Sequence, residues 1–302
     1  MSRETFRRNR LVRLRAGFRG MLLALLLPWL GACSMGQMVA RTSESIMDGS
    51  LDAMNRETDL MLAASAIPAN IKLIEGLIAE DPHNPQLLVY ATQAFYGYAF
   101  GFVELDDPQR ADALYARGVQ YGTRALREQG FDIDLSRTTP DDLDPALGKL
   151  GKSAVPALFW TASSWAKQID LNRTEPGRIA QLGSVERLMH RVQDLDADFY
   201  YGGAHLFYGV YYGGRAPMLG GDYTKAAQAF ADARRVTGGK LLIVDVLQAE
   251  YLERQRLDAV AFRQLLTAVI DTPPGTFPEM ALANQIARRR ARVLLDSQDD
   301  WF

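Results

Sequence analysis

Residues 208–233 read Tyr-Gly-Val-Tyr-Tyr-Gly-Gly-Arg-Ala-Pro-Met-Leu-Gly-Gly-Asp-Tyr-Thr-Lys-Ala-Ala-Gln-Ala-Phe-Ala-Asp-Ala. Gly209 stands one helical turn before Tyr212, so a small residue and an aromatic share one helix face. Ala226, Phe230 and Ala233 recur at i, i+4 and i+7, again a single helical stripe. Between the halves, Gly213, Gly214, Gly220, Gly221 and Pro217 break helical continuity and make a connection. Two helices joined by a loop can then pack closely, the small residues admitting the partner backbone and the aromatics filling the groove. The pattern recurs upstream as Gly97 and Phe100, followed by Ala111, Tyr115 and Gly118.

Apolar residues recur at helical spacing over most of the chain. Ile71, Ile74, Leu77 and Ile78 form one stripe, Leu87, Ala91, Ala94, Phe95 and Tyr98 the next, and Val155, Leu158, Phe159, Ala162, Trp165 and Ile169 a later one. No segment alternates with period two between hairpin turns, as strands would require. The sequence therefore predicts an all-α fold, and the two small/aromatic pairs give it the character of a tetratricopeptide-like solenoid of helical hairpins. Two departures from that repeat stand out: its Trp position holds Gln93 and His205, and the second pair carries about five extra residues in its loop.

Composition excludes several classes. The 302 residues are 48% apolar and 23% charged, an ordinary globular mix, and the single Cys rules out a disulfide scaffold or a Cys-based zinc site. The net charge of −2 is uneven: residues 1–32 carry seven Arg and one Glu, leaving 27 basic and 35 acidic side chains in the remainder. The body is thus acidic, which argues against a nucleic-acid partner. The seven arginines precede a short apolar run, Gly20 to Leu30, too short to cross a bilayer and shaped like a secretory signal. It ends Leu30-Gly31-Ala32-Cys33, which resembles the lipobox of bacterial lipoproteins; that resemblance implies cleavage before Cys33 and lipidation of its thiol. Ser34 after the Cys, by the same resemblance, implies the Gram-negative outer membrane, periplasmic face. The expected division is a signal peptide over 1–32, a lipidated N-terminus with tether or first helix over 33–62, and a helical domain over 63–302.

Catalytic chemistry is poorly represented. His83 sits in a Pro-rich turn, His190 among polar residues and His205 on an aromatic helix, without a paired nucleophile. Asp194-x-Asp196-x-Asp198 begins like a calcium loop, but Phe199 stands where the turn glycine belongs. The Gly-rich loop at 213–221 lacks the Gly-Lys-Ser/Thr of a phosphate cradle. The reading is a non-enzyme without cofactor or metal. Aromatic density is more informative: Tyr96, Tyr98, Phe100 and Phe102 crowd one helix, and Phe199 to Tyr212 another, more than one helix–helix seam absorbs. Tyrosine suits the wall of a ligand cleft because it pairs an apolar ring with a polar tip.

The loop Tyr212-Gly213-Gly214-Arg215-x-Pro217-Met218-Leu219-Gly220-Gly221-Asp222, together with Ile67-Pro68-Ala69-Asn70, Asp81-Pro82-x-Asn84-Pro85 and Tyr96-Gly97-Tyr98-Ala99-Phe100, resembles the T component of TRAP transport systems, the TatT lipoproteins. The resemblance covers most of residues 60–295 and is weakest over 131–151. It implies a tetratricopeptide-like lipoprotein that partners a solute-binding P component, assembles as a trimer with a central pore or cleft, and handles small apolar or acidic organic molecules. Within that frame, Arg215 is the candidate contact to a ligand carboxylate, and Tyr96, Tyr98, Phe100, Tyr208, Tyr211 and Tyr212 are candidate wall or partner-binding residues. The competing reading is a tetratricopeptide-like scaffold lipoprotein for envelope assembly; a periplasmic hydrolase comes third.

Overall fold

The computed structural model describes residues 36–135 and 137–302. The signal segment and Cys33 lie outside the described residues. Within them the chain is all-α, without a strand.

Residues 36–42 are helical and lead into α1 (Glu44–Asn55) and α2 (Leu60–Glu80). Then come α3 (Pro85–Tyr98), prolonged by a π-helical turn over Ala99–Val103, and its partner α4 (Pro108–Glu128). A short α5 (Pro140–Leu147), α6 (Val155–Leu171) and α7 (Leu182–Asp196) follow. The second small/aromatic pair is α8 (Phe199–Gly213) with α9 (Tyr223–Thr237). The chain ends in α10 (Ile243–Leu247), continued by a π-helical turn over Gln248–Glu253, then α11 (Ala259–Asp271) and α12 (Ala281–Asp296).

Local chemistry sets these boundaries. Asn84 and Asp107 each accept hydrogen bonds from the first free amides of their helices, and each is followed by Pro at the first helical position. That placement satisfies the orphan amides and uses the one site where a missing N–H costs nothing. Asp59, Asp222 and Asp258 cap α2, α9 and α11 in the same way.

The two pairs read from the sequence, α3/α4 and α8/α9, pack along their length, and α4 packs as extensively against α6. Tyr115 and Phe230 are completely buried. A Cβ on Gly209 would lie 2.7 Å from the Phe230 ring, and one on Gly118 would lie 2.8 Å from Ser164 Oγ. Close approach therefore requires Gly209 and Gly118. A Cβ on Gly97, the small residue read in the first pair's leading helix, would meet nothing within 4 Å, so that part of the repeat pattern is not needed for packing. The region around Phe131 to Leu150, where the resemblance is weakest, forms a cap that buries Phe131, Leu143 and Leu147 against the first core.

The hairpins do not run on as an open superhelix. α12 returns to pack against α1 and α2, and Arg289 on α12 donates to Asp106 Oδ2 at 2.7 Å, just after the first π turn. The array closes on itself and leaves an internal space between its two halves.

Candidate functional site

That space is a cavity of about 280 Å³. Its walls come from α1, α2, α3, α6, α8, α10 and α12. Met47, Leu51 and Met54 of α1 line one side of the cavity. The helix is tied down by the Tyr90 hydroxyl donating to Asp48 and by Asn84 Nδ2 donating to Glu44 Oε1 at 2.9 Å.

Aromatic rings make most of the remaining wall. Tyr96 stacks on Phe100 with centroids 5.9 Å apart, Trp160 sits 5.4 Å from Tyr96, and Tyr200 meets Trp160 edge-on at 4.6 Å. Burial pushes the Tyr96 hydroxyl up to about 12, so the phenol stays protonated and can donate as well as accept.

Two backbone irregularities build this wall. Tyr200, Tyr201 and Gly202 form a left-handed turn inside α8, with φ of 47°, 60° and 82°. The turn is closed by the Gly202 amide donating to Asp198 O at 3.0 Å. Left-handed geometry costs a non-glycine residue about 1–2 kcal/mol, and here it accompanies two tyrosines that both face the cavity. The π turns are the second irregularity. Phe100 and Phe102 come from one and Tyr251 from the other, and such turns recur where helices carry functional side chains.

A buried ion network adjoins the cavity. Lys167, the sole charged residue lining it among the described residues, bridges Glu104 Oε1 and Asp170 Oδ2, both at 2.9 Å, and donates to the Tyr251 hydroxyl at 3.3 Å. Arg290 grips Glu250 through two bonds of 2.8 Å and reaches Glu104 at 3.0 Å. Tyr115 donates to Glu104 at 2.5 Å, Tyr251 donates to Asp170, and Arg173 pairs with Asp170 from the outer side. Burial alone would raise the Glu104 and Asp170 carboxyls, but Lys167 with Arg290, and Lys167 with Arg173, hold them below the usual carboxylate range. Three cations face three carboxylates.

The sequence candidates divide. Tyr96, Tyr98 and Phe100 lie on the cavity wall. Tyr208, Tyr211, Tyr212 and Arg215 do not. Tyr208 is buried and donates to Glu186 at 3.0 Å, and it packs with Tyr211 and Tyr212 in a separate aromatic cluster. Arg215 folds back on its own loop: its guanidinium lies 4.0 Å from the Tyr211 ring centroid, and Nε donates to the Tyr211 carbonyl at 3.0 Å. It closes the end of α8. Sequence reasoning passed over Lys167, Trp160 and Tyr251 as cavity residues; Tyr200 and Tyr201 lay within the aromatic run from Phe199 to Tyr212 that pointed to a cleft, but were not singled out. The Gly202-Gly203 pair after two tyrosines was the available signal for the left-handed turn.

No group of three or more His, Cys, Asp or Glu among the described residues has metal-holding geometry. His83 pairs with Glu128 at 2.8 Å, and the rings of His190 and His205 lie 3.3 and 3.5 Å from Asp194 and Asp198.

The fold and site together define an all-α protein of packed helical hairpins with an aromatic-lined cavity between them. The chain belongs to the TRAP transporter T-component (TAtT) family, which matches residues 56–302. That is a family of transport-associated components, not of enzymes. The chain is also similar to an uncharacterized protein of Treponema pallidum (strain Nichols), 21% identical over 300 residues, covering 89% of this chain and 93% of the relative.

Proposed function

We propose that this protein is the T component of a TRAP transport system, held by lipidated Cys33 on the periplasmic face of the outer membrane. It receives a small organic ligand in the cavity and exchanges it with a solute-binding P component. Assembly as a homotrimer brings three such cavities together.

The observation that carries this reading is the cavity itself. Apolar interiors close up unless something holds them apart, and this one is kept by a left-handed turn, two π turns and a closed ion network. At about 280 Å³ it sits just under the usual range for small-molecule pockets, about 300–1,000 Å³. Closure of α12 onto α1 and α2 favours this over the envelope-scaffold reading, which needs an open concave face. Membership of the TRAP T-component family supports the P-component partner.

The decisive experiment is co-purification of the mature chain, residues 33–302, with the P component of the same TRAP system, read by size-exclusion chromatography with light scattering. A co-eluting complex with a trimeric T component is expected. A T component that ignores the P component and binds an outer-membrane assembly machine instead sinks the transport reading. Cys33→Ser is expected to release the chain from membranes or leave it uncleaved; unchanged acyl labelling refutes the anchor.

A further inference from the structure

The charge that the cavity's ligand carries is set by the ion network beside it; this step rests on the cavity being the ligand site.

A site for an ionised carboxylate needs a cation with free donors, because a buried charge without a partner is costly. Lys167 is the cation at the wall, and its three hydrogens already face Glu104, Asp170 and the Tyr251 hydroxyl. Arg290 behind it has committed Nε and Nη2 to Glu250 and Glu104. Its remaining nitrogen, Nη1, has no hydrogen-bond partner, but the guanidinium carbon lies 4.9 Å from the Phe100 ring centroid, so the wall's own aromatic occupies that cation. Arg290 is not among the residues lining the cavity.

A cationic ligand fares no better. Glu104 accepts from Lys167, Arg290 and Tyr115, Asp170 from Lys167, Arg173 and Tyr251, and Glu250 from both arms of Arg290. The three positive and three negative groups pair with one another, so the network's formal charges sum to zero and, within it, only Arg290 Nη1 is left without a hydrogen-bond partner.

Neutral polar groups are free. The Asn70 amide and the Ser163 hydroxyl line the cavity and make no hydrogen bond to another side chain among the described residues. The Tyr96 hydroxyl is in the same condition.

We infer that the cavity selects an uncharged amphiphile, an apolar body carrying one neutral hydrogen-bonding group such as a hydroxyl, amide or ester, and discriminates against ionised carboxylates and ammonium ions. The ion network is a closed scaffold that keeps the wall in place without recruiting charge. The acidic class of ligand that the family resemblance suggested is thereby set aside for this chain.

The test is a displacement series on the mature chain, with the neutral fluorophore N-phenyl-1-naphthylamine as reporter. Three competitors share one chain length: 1-decanol, decanoate and decylammonium at pH 8. The expected result is that decanol displaces the reporter at a concentration at least tenfold below either ion. Decanoate or decylammonium competing as well as decanol overturns the inference and leaves the cavity reading intact. A reporter that does not bind, with no competitor protecting the chain against thermal unfolding, overturns the cavity reading and this inference with it. A charge variant gives an independent readout. Glu104→Gln leaves a cation uncompensated beside the wall, so in folded protein decanoate should gain several-fold relative to decanol. An unchanged ratio in folded variant shows that the network does not set the charge preference.

Discussion

Glu104 is the hinge of the buried network, and Glu104→Gln tests whether that network holds the fold. The carboxylate lies 2.9 Å from Lys167 Nζ, 3.0 Å from Arg290 Nη2 and 2.5 Å from the Tyr115 hydroxyl. A glutamine keeps the shape but offers one oxygen and an NH₂ to three donors. Lys167 and Arg290 share Oε1 while Tyr115 uses Oε2, so the glutamine oxygen can keep both cations and Tyr115 can turn its hydroxyl to accept from the new NH₂. What is lost is the negative charge between two buried cations. Arg290 retains Glu250 and Lys167 retains Asp170, so the loss lies at the lower end of what breaking a buried ion pair costs, about 3 kcal/mol. For a chain of this size that corresponds to a Tm lowered by roughly 5 °C. The assay is urea unfolding at pH 7 followed by far-ultraviolet circular dichroism, with m-values compared so that a change in midpoint reads as a change in stability. The double variant Glu104→Gln, Lys167→Met removes the stranded cation, and it should cost less than the sum of the single changes by about 1–2 kcal/mol. A Glu104→Gln protein within about 1 kcal/mol of the parent, or strict additivity in the double variant, refutes the account of the network as coupled and buried.

The same carboxylates set the acid limb. Glu104 and Asp170 titrate below their usual values in the folded chain, so their stabilisation is fully present above the unfolded values near about 4 and is lost as pH falls from there towards the folded ones. Urea midpoints should therefore be insensitive to these groups from pH 8 to 5 and fall below about pH 4, less steeply in Glu104→Gln; a midpoint that rises on acidification contradicts the assignment. Gly122→Ala would drive a Cβ into Thr161 Oγ1 and set it 3.2 Å from Thr92 Cγ2 in the α3/α4/α6 core, costing about 1–3 kcal/mol by overpacking. Gly76→Ala in α2 meets nothing within 4 Å and should stabilise by about 0.5–1 kcal/mol; the two changes having the same sign in thermal melts rejects the packing argument. Leu257 is 72% exposed with φ 56°, so Leu257→Gly should raise stability by about 0.5–1 kcal/mol, and a lowered Tm shows that its side chain contributes something its exposure conceals.

Local pattern carried the sequence reading a long way. Gly209 with Tyr212, and Ala111 with Tyr115, are one-turn relations within a helix, and helical periodicity displays them directly. The caps at Asn84 and Asp107 are as local, a side-chain acceptor immediately before Pro. The closure of the array was hidden because it depends on α12 meeting α1 and α2 across most of the chain. The network was hidden for the same reason: Glu104, Lys167, Asp170, Glu250 and Arg290 come from four separate segments, and each alone looks like a solvated charge. Arg215 misled in the opposite direction. A lone Arg in a glycine-rich loop looks available to a ligand, yet its nearest partners are the ring and carbonyl of Tyr211, four residues away, and a local capping contact leaves the same sequence signature as a binding residue.

The placement of the charged groups explains why the cavity stays open. Each π turn inserts one extra residue into its helix and so rotates the residues after it by about 100° relative to an uninterrupted α-helix. In the first, Phe100 and Phe102 reach the cavity while Glu104, immediately after it, is buried against Arg290. In the second, Tyr251 lines the cavity while its neighbour Glu250 meets the same Arg290. The two halves of the array are thus joined through one guanidinium, and the aromatics of both turns are fixed on either side of it. Collapse of the cavity would require Phe100 or Tyr251 to move inward, and that would pull Glu104 away from Lys167 or Glu250 away from Arg290 and weaken a buried ion pair. An apolar substitution of the network could match its stability, but it would remove this penalty against collapse. The ionic floor therefore matters less for the net stability of the fold than for keeping a hydrophobic space from filling itself.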